Sequence, residues 1–531
     1  MLLATSKVAR PMLEEVLKEV SSLVEPRIFE LSVPVASMAT TGLISEELGR
    51  LRSELGSYDL VIIPGLSMGS AREVEKAVGV KAVKGPRYLG DLPEMIRLLS
   101  RGFEFSPDVP ADNIIQESLT NYYSSRIGHV IRSREALFTV KNVKFAMDPP
   151  PLNLLYEHMV GGNDSVAALS RKLERLKLLG YEGVVVGCGV TCEHLDSVRR
   201  SLALVRDQDL LAGIDLIYEA VHQSGLKDLL DSSDLILNVS GRSLDTVVKY
   251  LRSDQVVVVI PAGADEGVRP SRDVGGVIET LEALGIRNVI IDIVTKPPML
   301  GFTESLLEIR EVKKELKRPI LFSPANVYEL IDADSPGVIA LLTSMGFELG
   351  ASSLLVTESS VKTRNAALEV SVSRELVYRS YIKKSPPVNQ GVDLLIVKDK
   401  RDLNVQPPQV SEGLTREVSE VTSLSPDPLY YLKVYVDRER ELIVVDVYER
   451  SSNSLLRRYV GRGALDVGRA LTREWGVSME HALYLGYELC KAETALKLGK
   501  SYVQDEELFK IPYPHSTPVG VILIKTLDSY S

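Results

Sequence analysis

Three polar residues stand where apolar runs end: Asp215 closes LLAGID (210–215), Asn238 lies near the end of DLILNV (234–239), and Asp292 interrupts NVIIDIV (288–294). A carboxylate or an amide beside such runs is costly to bury alone, so each implies a ligand, a water or a second side chain. Two acids and one amide sharing a cavity would suit a flat heterocycle that presents N–H donors beside a carbonyl acceptor. Paired hydrogen bonds to such an edge are strengthened by apolar neighbours.

Further candidates follow other apolar runs. Asp148, with the prolines after VKFAM (143–147), could hold a divalent cation such as Mg2+, and Lys296 follows NVIIDIV. Asn326, Asp332 and Asp334 come after PILFS (319–323), while Glu358, Lys362 and Arg364 come after SSLLVT (352–357). Each is a possible anion or metal contact; solvated loop charges and helix caps are their ordinary roles. Cys188 and Cys192 have three residues between them and no second pair or histidine cluster, which disfavours a metal site. The turn Gly65 to Gly69, inside DLVIIPGLSMGS (59–70), could cradle an anion or simply join a strand to a helix. KGPRYLGDLPEMI (84–96), with Lys84 and Arg87, reads as an exposed loop leading to a helix. His481 opens a helical stretch in the tail, where a lone histidine is ordinarily structural.

The elements must explain how residues 215, 238 and 292 meet. Between about residue 137 and residue 382 the chain repeats one rhythm: VKFAM, GVVVG (183–187), LLAGID, DLILNV, QVVVVIP (255–261), NVIIDIV, PILFS and SSLLVT, most of them separated by helical stretches such as SVAALSRKLERLKLLG (165–180). Eight continuously apolar strands with intervening helices predict an α/β fold, a TIM (β/α)8 barrel. An open doubly wound sheet is the alternative. In a barrel, the carboxyl ends of the strands converge on one mouth, which would bring the three residues together.

The flanks read differently. Residues 1–136 alternate short strands and helices as an open, Rossmann-like α/β domain; 383–427, which includes VQPPQVSEGLTREVSEVTSLSPDP, reads as a linker or long loop. Residues 428–531 begin with LYYLKVYVD and ELIVVDVYE, joined by RERE as a hairpin, and continue as helices, a small α+β domain. At 531 residues the chain exceeds one hydrophobic core. A net charge of −10 argues against nucleic acid or an anionic membrane as the main partner. No signal peptide or membrane-spanning run is expected. Three cysteines do not make a disulfide framework, so a cytoplasmic setting is the simplest.

AGIDLI, DLILNVSG and NVIIDIV resemble segments of dihydropteroate synthase, and NVSG (238–241) is the most distinctive of them. The chain as a whole resembles an archaeal family of dihydropteroate synthase-related proteins more closely, as NVYELIDADSPGV (326–338) and the flanking domains suggest. The resemblance implies a pterin-binding barrel in which Asp215, Asn238 and Asp292 contact the ring. It also implies a transferase that couples a hydroxymethyl-dihydropterin diphosphate to an arylamine in folate or methanopterin biosynthesis, and a homodimer is compatible with it. Three elements depart from the synthase pattern. FAMDPPPLN stands where the synthases carry an Asn-containing strand-one loop, SPAN (323–326) replaces their Ser-Arg-Lys, and LLVTES lacks their Arg and His. All three handle anions in the synthases, which leaves a methyl-transfer or carrier module, or a non-catalytic scaffold, as alternatives.

Overall fold

The computed structural model describes residues 1–161, 166–188, 194–215, 223–263, 269–388, 390–398 and 427–509. They fall into two units, residues 1–135 with 375–398 and residues 136–374 with 427–509. The division lies inside the helix Ala366–Lys383, short of residue 382. Of the expected linker, residues 389 and 399–426 lie outside the described residues.

In the first unit β1 (Leu2–Ser6), β2 (Arg27–Leu31), β3 (Val61–Ile63) and β4 (Ala82–Lys84) form a parallel sheet in the order β2-β1-β3-β4. The helix Ala71–Val78 follows β3; the Ser70 hydroxyl accepts from the Arg72 N–H at its start, and Gly79 ends it at φ 76°. A side chain at Gly65 would run into the backbone of Gly85 and Pro86. That residue therefore serves a close strand-to-helix connection. Lys84 is not on an exposed loop: it ends β4, buried, and its Nζ donates to the Ser67 carbonyl at 3.0 Å. Arg87 pairs with Asp112.

The second unit holds an eight-stranded parallel barrel. Its strands are β7 (Asn153–Met159), β8 (Gly183–Gly187), β9 (Leu211–Asp215), β10 (Leu235–Val239), β11 (Val256–Val259), β12 (Val289–Ile291), β13 (Leu321–Phe322) and β14 (Ser353–Val356). A parallel bridge between Ile291 and Ile320 joins β12 to the start of β13 and closes the ring. Leu155, Val185, Leu211, Leu235, Val258, Ile290, Leu321 and Leu355 pack together as its interior. Burying each contributes roughly 1.5–3 kcal/mol, which is what holds the strand ends in register.

Seven of the eight strands lie where the apolar runs predict them, and the first does not. VKFAM contributes β6 (Val143–Phe145), which pairs antiparallel with β5 (Phe138–Val140). This hairpin plugs the bottom of the barrel: Phe145 is fully buried in the interior cluster and stacks on Phe138 at 5.0 Å. Lys141 at its turn reaches Asp234, the residue before β10, at 2.8 Å, which places the hairpin at the amino ends of the strands. The true first strand lies in LNLLYEHM. A short apolar run in a plug and one in a barrel strand have the same periodicity, and only their partners differ.

The C-terminal part of this unit is the antiparallel sheet β15 (Tyr430–Asp437), β16 (Leu442–Glu449) and β17 (Leu455–Gly461), covered by the helices Ala464–Trp475 and Met479–Leu498. The third strand escapes sequence reading because Leu455 to Arg458 are all exposed, so LLRRYVG carries no alternating pattern. Among the described residues no helix is long and apolar enough to cross a membrane.

Candidate functional site at the barrel mouth

Side chains alternate along a strand, so residues two beyond the apolar interior layer point the same way. Leu155 leads to Glu157, Leu211 to Asp215 by way of Gly213, Ile290 to Asp292, and Leu321 to Ser323. The next layer toward the mouth is therefore polar, and three of its members are acids.

Asn238 breaks the alternation. Its φ is 57°, in the left-handed region that asparagine tolerates better than most residues, and the β10–β11 register shifts between Ile236 and Val239. The irregularity lets the amide meet β9: Asn238 Nδ2 donates to Asp215 Oδ1 at 2.6 Å. Asp292 is held from two sides. Its Oδ2 accepts from Ser323 Oγ at 2.9 Å and its Oδ1 from the Val294 N–H at 2.7 Å. Val294 makes that bond at φ 53°, a strained conformation for a β-branched residue that costs on the order of 1–3 kcal/mol.

The acids perturb one another. Burial, the charge of Asp215 and a hydrogen bond to it push the Glu157 carboxyl up to about 7, so Glu157 carries the proton that the pair shares. Asp215 is itself raised by burial, against the Asn238 amide and the Glu157 hydrogen bond, which favour its charge. Burial pushes Asp292 up to about 6; Val294 and Ser323 oppose that shift and the Asp215 charge adds to it. Between about pH 6 and pH 7 the mouth thus offers a largely protonated Glu157 carboxyl, acidic acceptors and one amide.

Asp215, Asn238 and Asp292 are thus brought to one mouth, and Glu157 and Ser323 join them. Glu157 was invisible in the sequence because LNLLYEHM was not read as a strand; an acid two residues past a buried leucine was the available signal. Asn326 lies just beyond β13, half-buried, in the helix Ala325–Tyr328. The other candidates have different work. Lys296 sits 3.8 Å from Glu308, Lys362 pairs with the exposed Asp332 at 2.8 Å, and Glu358 accepts from the Ala367 N–H at 3.1 Å, capping the helix Ala366–Lys383. Asp334 occupies the N-cap of the helix Ser335–Glu348.

Asp148 is a correction. It lies with the hairpin at the opposite end of the barrel, where Lys313 Nζ binds its carboxylate at 2.6 Å and the Met147 carbonyl at 2.7 Å. With VKFAM misread as the first strand, the following acid was carried to the wrong end. A magnesium ion does not fit there, because an ammonium already occupies the carboxylate. Among the described residues no group of three or more His, Cys, Asp or Glu is arranged to hold a metal ion. Cys188 is disulfide-bonded, which removes its thiolate as a ligand, and Cys192 lies outside the described residues. His481 is buried at the start of its helix, where its backbone N–H donates to Ser478 Oγ at 3.2 Å and burial lowers its pKa. Asp148→Ala is expected to leave ligand affinity at the mouth unchanged within about twofold, because sites this far apart act independently. It should cost about 1 kcal/mol in thermal melting, because Asp148 is exposed and the mostly buried Lys313 keeps the Met147 and Gly350 carbonyls.

Residues 426–505 match the profile of the PterinBD-DUF4346 family. That match is confined to the last part of the chain and leaves the barrel unmatched. What the barrel binds therefore follows from its own geometry. An uncharacterised protein of Methanocaldococcus jannaschii is 27% identical over 540 residues, covering 96% of this chain and 98% of that one. Similar solved structures include a dihydropteroate synthase from Xanthomonas albilineans in complex with 7,8-dihydropteroate, 17% identical over 43% of this chain and 94% of that one, with a TM-score of 0.32. A truncated 3-deoxy-D-arabino-heptulosonate 7-phosphate synthase from Thermotoga maritima is 12% identical over 49% of this chain and 95% of that one, with a TM-score of 0.35.

Proposed function

We propose that the barrel mouth binds a reduced pterin, with Asp215, Asn238 and Asp292 meeting the polar edge of the ring. The observation that carries this reading is the Asn238-to-Asp215 hydrogen bond, on neighbouring strands, beside an Asp292 that feels the Asp215 charge. A pterin presents two N–H donors next to a carbonyl acceptor. Two carboxylates and an amide match that edge in number and kind, and burial strengthens each bond.

The reaction proposed for the bound ring is a group transfer, namely the coupling of a hydroxymethyl-dihydropterin diphosphate to an arylamine of the p-aminobenzoate or ribosylated-aniline kind, in folate or methanopterin biosynthesis. Coupling releases diphosphate, whose developing charge needs a cation. Lys296 and Lys362 are each close to an acid, and Asp148 is at the far end of the barrel.

That pairing favours a second reading, transfer of a methyl group from a fully reduced methyl-pterin. There the leaving ring nitrogen needs a proton, not a cation, and Glu157 holds one near neutral pH. Calorimetry on the intact chain separates the two. Preference for the hydroxymethyl diphosphate, with formation of coupled product on adding an arylamine, supports coupling; preference for the methyl-pterin supports methyl transfer. Binding of neither would leave the barrel a scaffold and remove the pterin reading.

A further inference from the structure

Among the described residues no strand pairs with the outer edge of β15, and a cavity of about 640 Å³ opens along it. Arg364, Lys433 and Arg438 line this cavity together with Tyr435, Tyr502 and Gln504. Gln504 occupies part of the edge itself: its Oε1 accepts from the Val434 N–H at 2.9 Å and its Nε2 donates to the Leu432 carbonyl at 3.1 Å. The edge is thereby partly satisfied without another strand. The cavity is lined by three cations and one acid, Asp505.

Arg438 Nη2 is buried and makes no hydrogen bond among the described residues. Burial and, after it, the charge of a second cation, Arg364, pull the guanidinium pKa down. Arg364 uses one nitrogen, Nη1, on the Gly499 carbonyl at 3.3 Å. Neither arginine has a carboxylate in ion-pair range among the described residues. The acids nearby are already engaged: Asp505 accepts from the Tyr484 hydroxyl at 2.6 Å, and Glu488 takes Lys491 and the Tyr502 hydroxyl at 2.6 and 2.7 Å. Lys433 lies over the rings of Tyr431 and Tyr448.

Two like charges side by side, one with a buried unpaired donor, destabilise a fold unless an anion completes them. Guanidinium forks match phosphoryl oxygens in geometry and charge. A free phosphate would fill little of this volume, which lies in the range of pockets for whole small molecules, about 300–1,000 Å³. We propose that the cavity is a binding site for a phosphate ester, its phosphoryl oxygens held between Arg364 and Arg438 and its organic part lying against Tyr435 and Tyr502. The site is built from the loop after β14 and the edge of β15, and it does not depend on what the barrel mouth binds.

Calorimetry on the full chain at low salt, with ADP, inorganic phosphate and adenosine as probes, tests the proposal. ADP should bind at least about tenfold more tightly than inorganic phosphate, adenosine should bind weakly, and Arg438→Met or Arg364→Met should each weaken ADP by about tenfold or more while pterin affinity stays unchanged. Without ligand, Arg438→Met should melt no lower than the parent chain, because it removes a partly buried guanidinium with an unsatisfied Nη2; Arg364→Met serves if that variant fails to fold. Equal affinity for ADP and phosphate would overturn the ester. No binding of either, or ADP binding indifferent to both substitutions, would overturn the site.

Discussion

Asp292→Ala is expected to weaken binding of a reduced pterin by roughly 100-fold, the cost of leaving a buried donor pair without its acceptor at about 3 kcal/mol. The size of the effect follows from how the carboxylate is held. Ser323 and Val294 fix both of its oxygens, so no other group can rotate into its place, and water is excluded by burial. Calorimetry with 6-hydroxymethyl-7,8-dihydropterin reads the loss directly. The substitution removes a group already raised by burial, so the fold should tolerate it; a variant that melts like the parent yet binds pterin equally well would exclude Asp292 from the site. The same carboxylate sets a pH dependence. Its charge is regained as pH rises through about 6, so pterin affinity should increase between pH 5 and pH 7 and then level off.

Glu157→Gln carries the second large effect, on stability as well as chemistry. An acid whose pKa is raised on folding favours the folded state most where it is protonated in both states, and that advantage is lost as pH climbs from its ordinary value toward the raised one. For Glu157 the window runs from 4.5 to about 7. Asp292 and Glu369, pushed up by burial to about 6 and about 7, act in the same direction. The protein should therefore become less stable as pH rises from about 4 to 7, and Glu157→Gln should flatten the slope. Above pH 7 the variant should be the more stable by at most about 3.5 kcal/mol, from about 1.4 kcal/mol for each pKa unit removed. Denaturant melts at a series of pH values check this, and a variant slope as steep as the parent's would mean that Glu157 is ionised in the fold. Where the methyl-transfer reading applies, the rate should fall as pH passes about 7, because the proton on Glu157 is lost there.

The barrel was legible because parallel strands buried on both sides must be continuously apolar, and LLAGID, DLILNV and NVIIDIV each carry one polar residue where that rule lapses. The lapse was the signal for the site. What escaped was set by partners, which a single sequence does not display. VKFAM has the composition of a barrel strand but pairs with a neighbouring hairpin strand, and that one misplacement sent Asp148 to the wrong end and hid Glu157 at the right one. Asn238 was legible as a residue, but the positive φ and shifted register that turn it toward Asp215 were not. Arg438 lay unread between the two strands of a predicted hairpin; its neighbour Arg364 is 74 positions earlier, and only folding puts them side by side.

The most direct test of the account is a crystal structure of the intact chain with 6-hydroxymethyl-7,8-dihydropterin. The ring is predicted to lie across the mouth with its donor edge about 3 Å from the carboxylate of Asp292 and its remaining polar atoms in hydrogen-bond range of Asp215 and Asn238. A ring bound anywhere else, or lying at the mouth without touching these three side chains, would contradict it.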